Sequence, residues 1–331
     1  MSELTRRMGE VLRRRVPLQV LPQPDQTELR STWRAARPAR IEESLRLAQE
    51  HEPGGWCVVG ASGDVRPGRS RVRTVAGREV VLWRDTDGSL LAGPGACPHM
   101  GARLDDCVVS GRTVLCRWHG MAVGPDGEVP WQGFPAHDDG VLLWVRLPVP
   151  GEEPTEAPRI TERPPLAESV SAVLARRGIC EPSDVIANRL DPWHGAWFHP
   201  YAFSHLDVDE GASSPERLVV DVAFRLNRSI GVAVRAEFTC PDARTIVMTI
   251  TDGEGAGSVV ETHATPLTGP SAQGPAATMV VEATIAYSTR PGFAVARLAA
   301  PLLRPAMRRT AATLWVDDLA YAERRYALRN D

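Results

Sequence analysis

Residues 97–120, CPHMGARLDDCVVSGRTVLCRWHG, hold three of the six cysteines and two of the eight histidines of the chain. No other stretch is so dense in soft metal ligands, so the local fold has to close loops around them. The ligands fall into two pairs, Cys97-x-His99 and Cys116-x2-His119, sixteen residues apart. Structural zinc sites favour C-x2–4-C or H-x3–5-H pairs, and a one-residue gap mixing Cys with His is unusual for them. The pattern suits a [2Fe–2S] cluster in which one iron takes two thiolates and the other two imidazoles. Gly101 and Gly120 follow the pairs, where backbone without a Cβ can approach sulfides and donate N–H bonds.

The 331 residues suffice for one large domain or two ordinary ones, and charged and apolar fractions are those of a globular protein. All basic side chains are arginine, scattered rather than banded, and the net charge is −3, which argues against nucleic acid. No apolar run approaches the ~20 residues of a membrane span. The start, MSELTRRMGEVLRRRVPLQV, lacks the apolar stretch of a secretory or twin-arginine signal and reads as a short basic helix or a frayed end. The six cysteines are therefore expected as reduced thiols or metal ligands in a cytoplasmic protein.

Three regions differ in texture. Residues 1–52 read as a helical, loosely attached extension ending at a Pro-Gly-Gly breaker. Residues 53–150 alternate short strands with turns: REVVLWRD and SLLAG flank an Asp-Gly turn, VVSGRTVLC is centred on Ser-Gly, and GPDGEV supplies another. After a Pro- and Glu-rich connector, residues 151–331 open with two helical readings, SVSAVLARRG and ANRLDPWHGAWFHP. Alternating strands follow between about 216 and 290, and a last helix, TAATLWVDDLAYAERRYAL, closes the chain. The expected class is α+β, an all-β unit followed by an antiparallel sheet wrapped with helices around a pocket.

A second constellation lies in ANRLDPWHGAWFHPY. Asn188, Asp191 and His194 are spaced i, i+3, i+6, one face of a helix, and His199 follows five residues later. Pro200 disfavours helical geometry at His199, so the helix is expected to end or widen there and let the imidazoles converge. Two His and one carboxylate leave positions open on a non-haem Fe(II).

The first pairs resemble the two loops of a Rieske domain, and the upstream strands extend that resemblance over about residues 55–150. Respiratory-complex Rieske proteins carry an extra cysteine in each loop; Ala102 and Trp118 stand there, so the chain is similar to the oxygenase or ferredoxin type. The oxygenase pattern commonly has Tyr and Trp where Trp118 and Met121 stand, a change that affects hydrogen bonding rather than ligands, and Cys107 reads as an ordinary thiol. The second stretch resembles the D-x2-H-x4-H motif of Rieske non-haem iron oxygenases, matched by Asp191, His194 and His199. The resemblance implies an N-terminal Rieske domain and a helix-grip (START-like) catalytic domain. It implies Cys97, His99, Cys116 and His119 as cluster ligands, and His194, His199 and Asp318 as ligands of a mononuclear Fe(II). Asp318 is chosen over Asp317 by the family pattern, with Glu323 five residues on, and Asp317 is expected as a solvated acid. Asp191 would link a neighbouring subunit's cluster to this iron, and Asn188 resembles the monooxygenase and demethylase branch. It further implies a homotrimer and a small, lipophilic or aromatic substrate oxidised with O2. No G-x-G-x-x-G follows a strand and no second cluster set exists, so a separate NAD(P)H-dependent reductase, with or without a ferredoxin, is expected as electron donor.

Two competing functions are an electron carrier or sensor without the mononuclear iron, and a hydrophobic-ligand carrier; the intact His pair speaks against both. His263 and His205 read as satisfied or peripheral histidines, and Trp193, Trp197 and Phe198 as core. The apolar, arginine-dotted stretch 292–307 reads best as a packed lid. Alternatives are an entrance lining or a membrane-surface segment, with Pro301 and Pro305 weakening any continuous helix.

Overall fold

The computed structural model describes residues 19–20 (backbone only), 24–149, 151–225, 229–269, 272–290 and 292–331. The basic stretch at residues 1–18 lies outside the described residues. Gln19–Val20 form strand β1, paired antiparallel to a later strand, where a helical extension was expected. Helix α1, Pro38–Gln49, begins where Pro38 presets its first turn. It is not loosely attached: Ile41, Leu45 and Ala48 are buried, the first two in the main core.

The all-β unit comprises β2 (Trp56–Ala61), β3 (Arg71–Val75), β4 (Arg78–Arg84), β5 (Leu90–Pro94), β6 (Val108–Ser110), β7 (Thr113–Leu115), β8 (Ala122–Val123), β9 (Ala136–Asp138) and β10 (Leu142–Arg146). They pair as three three-stranded antiparallel sheets, β2-β10-β9, β3-β4-β5 and β6-β7-β8. The Asp87-Gly88 and Ser110-Gly111 turns fall where the sequence places them. The connector after β10 is pinned rather than free: Arg159 Nη1 donates to Pro241 O, and the Thr155 carbonyl accepts from Trp56 Nε1.

The stretch SVSAVLARRG is strand β11 (Val170–Gly178), not a helix. Its Ala, Leu and Arg are good helix formers, but nine consecutive residues pair with one later strand, and tertiary pairing overrides local propensity. Helix α2 (Pro182–Arg189) stops short of Pro192, followed by a single 3-10 turn, Pro192–His194, and the short helix α3, Gly195–Phe198. The predicted single helix over 187–199 is thus broken in three, because Pro192 disfavours the helical region for Asp191. Strands β12 (Phe203–Val208), β13 (Arg217–Arg225), β14 (Ile230–Asp242), β15 (Thr245–Gly253), β16 (Val259–Pro266) and β17 (Thr278–Ala286) come next, then helices α4 (Phe293–Leu298) and α5 (Ala300–Asn330). Helix α5 is longer than expected. Pro301 sits in its first turn, where no N–H is needed, and Pro305 is accommodated one turn further.

The large sheet runs β11-β17-β16-β15-β14-β13-β12, all antiparallel, with β1 joined to β14. One face carries α1, α2 and α5 over a core that includes Ile186, Leu190, Leu218, Ile246, Trp315 and Leu319. The other face meets the all-β unit: Val281, Ala283 and Ile285 of β17 pack with Trp56, Val58, Leu142 and Trp144. Strand β17 is largely buried on both faces, and its Glu282 accepts from Trp315 Nε1 on the helix side. The whole is the α+β arrangement expected, with a long helix gripping an antiparallel sheet.

Candidate metal centres

The two Cys/His loops are built alike. Cys97 N–H donates to Ala102 O and Gly101 N–H to Cys97 O; Cys116 N–H donates to Met121 O and Gly120 N–H to Cys116 O. Each is therefore a six-residue loop starting at a cysteine, with its histidine at the third position in one and the fourth in the other. Gly101 and Gly120 have φ of +74° and +79°, and a Cβ on either would meet open space, so they are required by backbone conformation, not crowding. The two cysteines are buried side by side and the two histidines are exposed, ring centroids 4.9 Å apart. Burial, with the neighbouring Cys116, raises the Cys97 thiol, and backbone N–H groups of His99 and Met100 work against it.

No three of these four bring ligand atoms within 4.8 Å of one another among the described residues. A single tetrahedral zinc would need that; a two-metal cluster with thiolates on the inner iron and imidazoles on the outer does not. The donor set fits a [2Fe–2S] group. Trp118 and Met100 stand exposed on the rim, and the Met121 sulfur lies 3.9 Å from Cys97 Sγ. Cys107 is a buried core thiol whose N–H is bound by Ser70 Oγ.

The second centre draws on three elements. His194 ends the 3-10 turn, His199 follows α3 with φ −118° and ψ 54°, and Asp318 projects from α5. His194 Nε2 and His199 Nε2 are 3.3 Å apart, and both face Asp318 Oδ1, at 3.2 and 3.0 Å. Among the described residues they are the group of three ligand atoms that lie mutually within 4.8 Å. Asn188, fully buried on α2, donates from Nδ2 to the same Asp318 oxygen at 3.2 Å, while its own Oδ1 lacks a partner. Burial pushes the Asp318 carboxyl up, but His194, His199 and Arg189 outweigh it and hold the group well below the usual range.

Asp317 is not the solvated acid expected. Its Oδ2 accepts from Tyr201 Oη at 2.7 Å and lies 3.4 Å from His199 Nδ1. An acceptor on that side favours the proton on Nδ1, leaving the Nε2 lone pair aimed at Asp318 Oδ1 and His194 Nε2. Three electron-rich atoms converging on one point are satisfied by a cation, so the residues fit a 2-His-1-carboxylate iron.

Asp191 lies beside this centre, its Oδ2 3.9 Å from His194 Nδ1 and accepting from Tyr321 Oη at 3.2 Å. Burial raises its carboxyl, against the pull of His194, of Tyr321 and of the His194 and Trp193 backbone N–H groups. It opens on a depression of about 410 Å³ lined also by Pro38, Ile41, Tyr321 and Arg325. The sequence reading missed Tyr321 and Tyr201; Tyr321 was findable, three residues after Asp318 on the same helix. The aromatic readings divide: Trp193 is core, whereas Phe198 is exposed. His263 belongs to neither centre, bound to Thr245 and Glu261 where the all-β unit meets the sheet, and His205 is exposed at a bulge of β12 with φ +48°.

Fold and donor sets together define the architecture of Rieske terminal oxygenases. Residues 55–145 match the Rieske [2Fe–2S] domain, and residues 149–331 match a domain of unknown function, DUF5914. That second match spans more than half of the chain, which belongs to the DUF5914 family and carries a Rieske domain ahead of it. The chain is 30% identical over 165 residues to the oxygenase component of chloroacetanilide N-alkylformylase from Rhizorhabdus wittichii (strain DC-6 / KACC 16600), covering 45% of each. It is 23% identical over 186 residues to the 5,5'-dehydrodivanillate O-demethylase oxygenase subunit of Sphingobium sp. (strain NBRC 103272 / SYK-6), 50% of this chain and 43% of that one. The chain thus spans less than half the length of these relatives. Dicamba monooxygenase bound to dicamba shares the fold at a TM-score of 0.61 and 16% identity, over 84% of this chain and 88% of that one. The terminal oxygenase of carbazole 1,9a-dioxygenase from Nocardioides aromaticivorans IC177 does so at 0.52 and 14%, over 90% and 91%.

Proposed function

We propose that this protein is the terminal oxygenase component of a Rieske non-haem iron system, acting in the cytoplasm on a small lipophilic or aromatic molecule. In this reading residues 53–150 form the electron-receiving domain and 151–331 the catalytic one. Cys97, His99, Cys116 and His119 hold the cluster; His194, His199 and Asp318 hold the iron. The observation that carries the proposal is the buried convergence of two imidazole Nε2 atoms on one carboxylate oxygen, from segments more than a hundred residues apart. The substrate class is supported by the relatives, whose names specify a chloroacetanilide and a dehydrodivanillate.

An iron held there would supply the binding and reduction of O2, and a cluster held by the first loops would supply the electrons. The chain's residues do the rest. Asn188 Nδ2 holds Asp318 Oδ1 in place, and Asp317 with Tyr201 fixes the ring of His199 from behind. Tyr321 anchors Asp191 Oδ2 with the proton on its Oη, beneath the depression through which an imidazole donor of a second copy would approach the carboxylate. The exposed His99 and His119 present such a donor, and the depression at Asp191 is open to receive it, which favours a head-to-tail ring of three copies. Electrons are supplied by a separate NAD(P)H-dependent reductase, directly or through a ferredoxin.

The test is iron and acid-labile sulfide on anaerobically purified protein and on His194→Ala. Roughly three irons and two sulfides are expected per chain, with one iron lost and sulfide unchanged in the variant. Two irons in both proteins after Fe(II) reconstitution would refute the oxygenase and leave an electron carrier.

A further inference from the structure

Between Glu282 and Asp317 the sequence has five arginines and no acid, whereas the remainder, with 33 arginines against 41 acids, is net −8. The structure puts much of this stretch on the surface. Val295, Leu298 and Leu302 are 68%, 85% and 80% exposed, and Leu303 is exposed at 37%. A packed lid would bury these side chains, so the lid reading is overturned. The backbone is helical almost throughout: Ala299 N–H bonds Val295 O across the junction of α4 and α5, and Leu302 N–H bonds Ala299 O. Positions 295, 298 and 302 therefore fall on one stripe, with Arg309 one heptad beyond Leu302 on the same line. Arg304 points away from the stripe, back to the protein, where its Nε donates to Ser171 O; Arg308 lies on the flank, and Arg297 is exposed near the junction. Arg290 is paired with Glu254 and takes no part.

We propose that the α4–α5 corner docks the protein on the surface of an anionic lipid bilayer, with Val295, Leu298 and Leu302 entering the headgroup boundary and Arg297, Arg308 and Arg309 meeting lipid phosphates. The chemistry favours a bilayer over a protein partner. The stretch concentrates positive charge without a single acid on a chain otherwise net −8, and its aliphatic stripe is flanked by arginines whose stems can snorkel towards phosphates. No helix of the described residues is long and apolar enough to cross a membrane, so the segment lies on it. Helix α5 also carries Asp318, sixteen residues or about 24 Å beyond Leu302. If the oxygenase reading holds, docking brings that site towards a lipid-dissolved substrate; the docking itself does not depend on metal.

The experiment is flotation of the purified full-length protein with phosphatidylcholine vesicles, alone or with about one third phosphatidylglycerol, at low and high salt. Binding is expected with the anionic vesicles only and should weaken with salt. Leu298→Gln/Leu302→Gln should cut it about a hundredfold, at about tenfold per apolar side chain. Arg297→Gln/Arg308→Gln/Arg309→Gln should do the same, at about fivefold per charge. All five positions are exposed, so circular dichroism is expected unchanged. Three results would overturn the proposal: no flotation with anionic vesicles at low salt, equal flotation of the leucine variant, or loss of self-association in that variant, which would mean that a second copy covers the face.

Discussion

Arg163 gives the sharpest test of how the two halves are joined. Its guanidinium forms a bidentate pair with Glu261 on β16, at 2.5 and 2.7 Å, and reaches Asp139 beside β10 at 2.9 Å. All three side chains are nearly inaccessible, and Asp139 also accepts from Trp144 Nε1 at 2.7 Å. Burial alone would raise the Glu261 carboxyl; the bonds from Arg163 and His263 overcome it and hold the group at about 2. Against an ordinary 4.5, that corresponds to about 3 kcal/mol of stability. Arg163→Met strands two buried carboxylates and should cost about 3–5 kcal/mol, a fall in Tm on the order of 5–10 °C. Urea unfolding followed by tryptophan fluorescence is the assay, since Trp144 also packs edge-on against His263 at 5.1 Å. Because the folded value of Glu261 lies below the unfolded one, the stabilisation is complete above about pH 4.5 and vanishes as the pH falls towards 2. The gap between wild type and variant should narrow over that window. Adding Glu261→Gln to the variant should restore at least about 1 kcal/mol. A cost below about 1 kcal/mol for Arg163→Met, or strict additivity in the double variant, would refute the reasoning.

Gly120→Ala should cost about 1–2 kcal/mol through its left-handed φ alone and lower retained sulfide; unchanged cluster content and Tm would show that the loop relaxes without strain. Tyr321→Phe removes the hydroxyl donor to buried Asp191 and should destabilise by about 1–2 kcal/mol while leaving iron content unchanged, as read by calorimetry and metal analysis. Cys180, its thiol pushed up to about 12 by burial and by Asp184 and Glu323, should resist iodoacetamide in the native protein at about pH 8 and react once unfolded, read by peptide mass spectrometry.

The features legible in the sequence are those whose chemistry is local. A Cys/His loop closes on itself within six residues, so spacing alone exposes it, and the β13–β17 strands announce themselves because alternation follows directly from the pleat. The His194/His199 pair is equally local, but the helix proposed to present it is not there: Pro192 breaks it, and three short pieces aim the rings instead. What spacing could not decide was decided by distant partners. The β11 stretch has helical composition and becomes a strand because β17 offers nine residues of pairing. Asp317 and Asp318 are neighbours on one helix, yet a rotation of about 100° sends one to the point where two imidazoles meet and the other to Tyr201 and the back of His199. Arg163 sits in a connector that reads as a linker, and only the meeting of two units shows that it is a buried ion pair. Backbone geometry and ligand chemistry act over a few residues and are written in order along the chain; burial and charge pairing act through space, and only the folded chain brings their partners together.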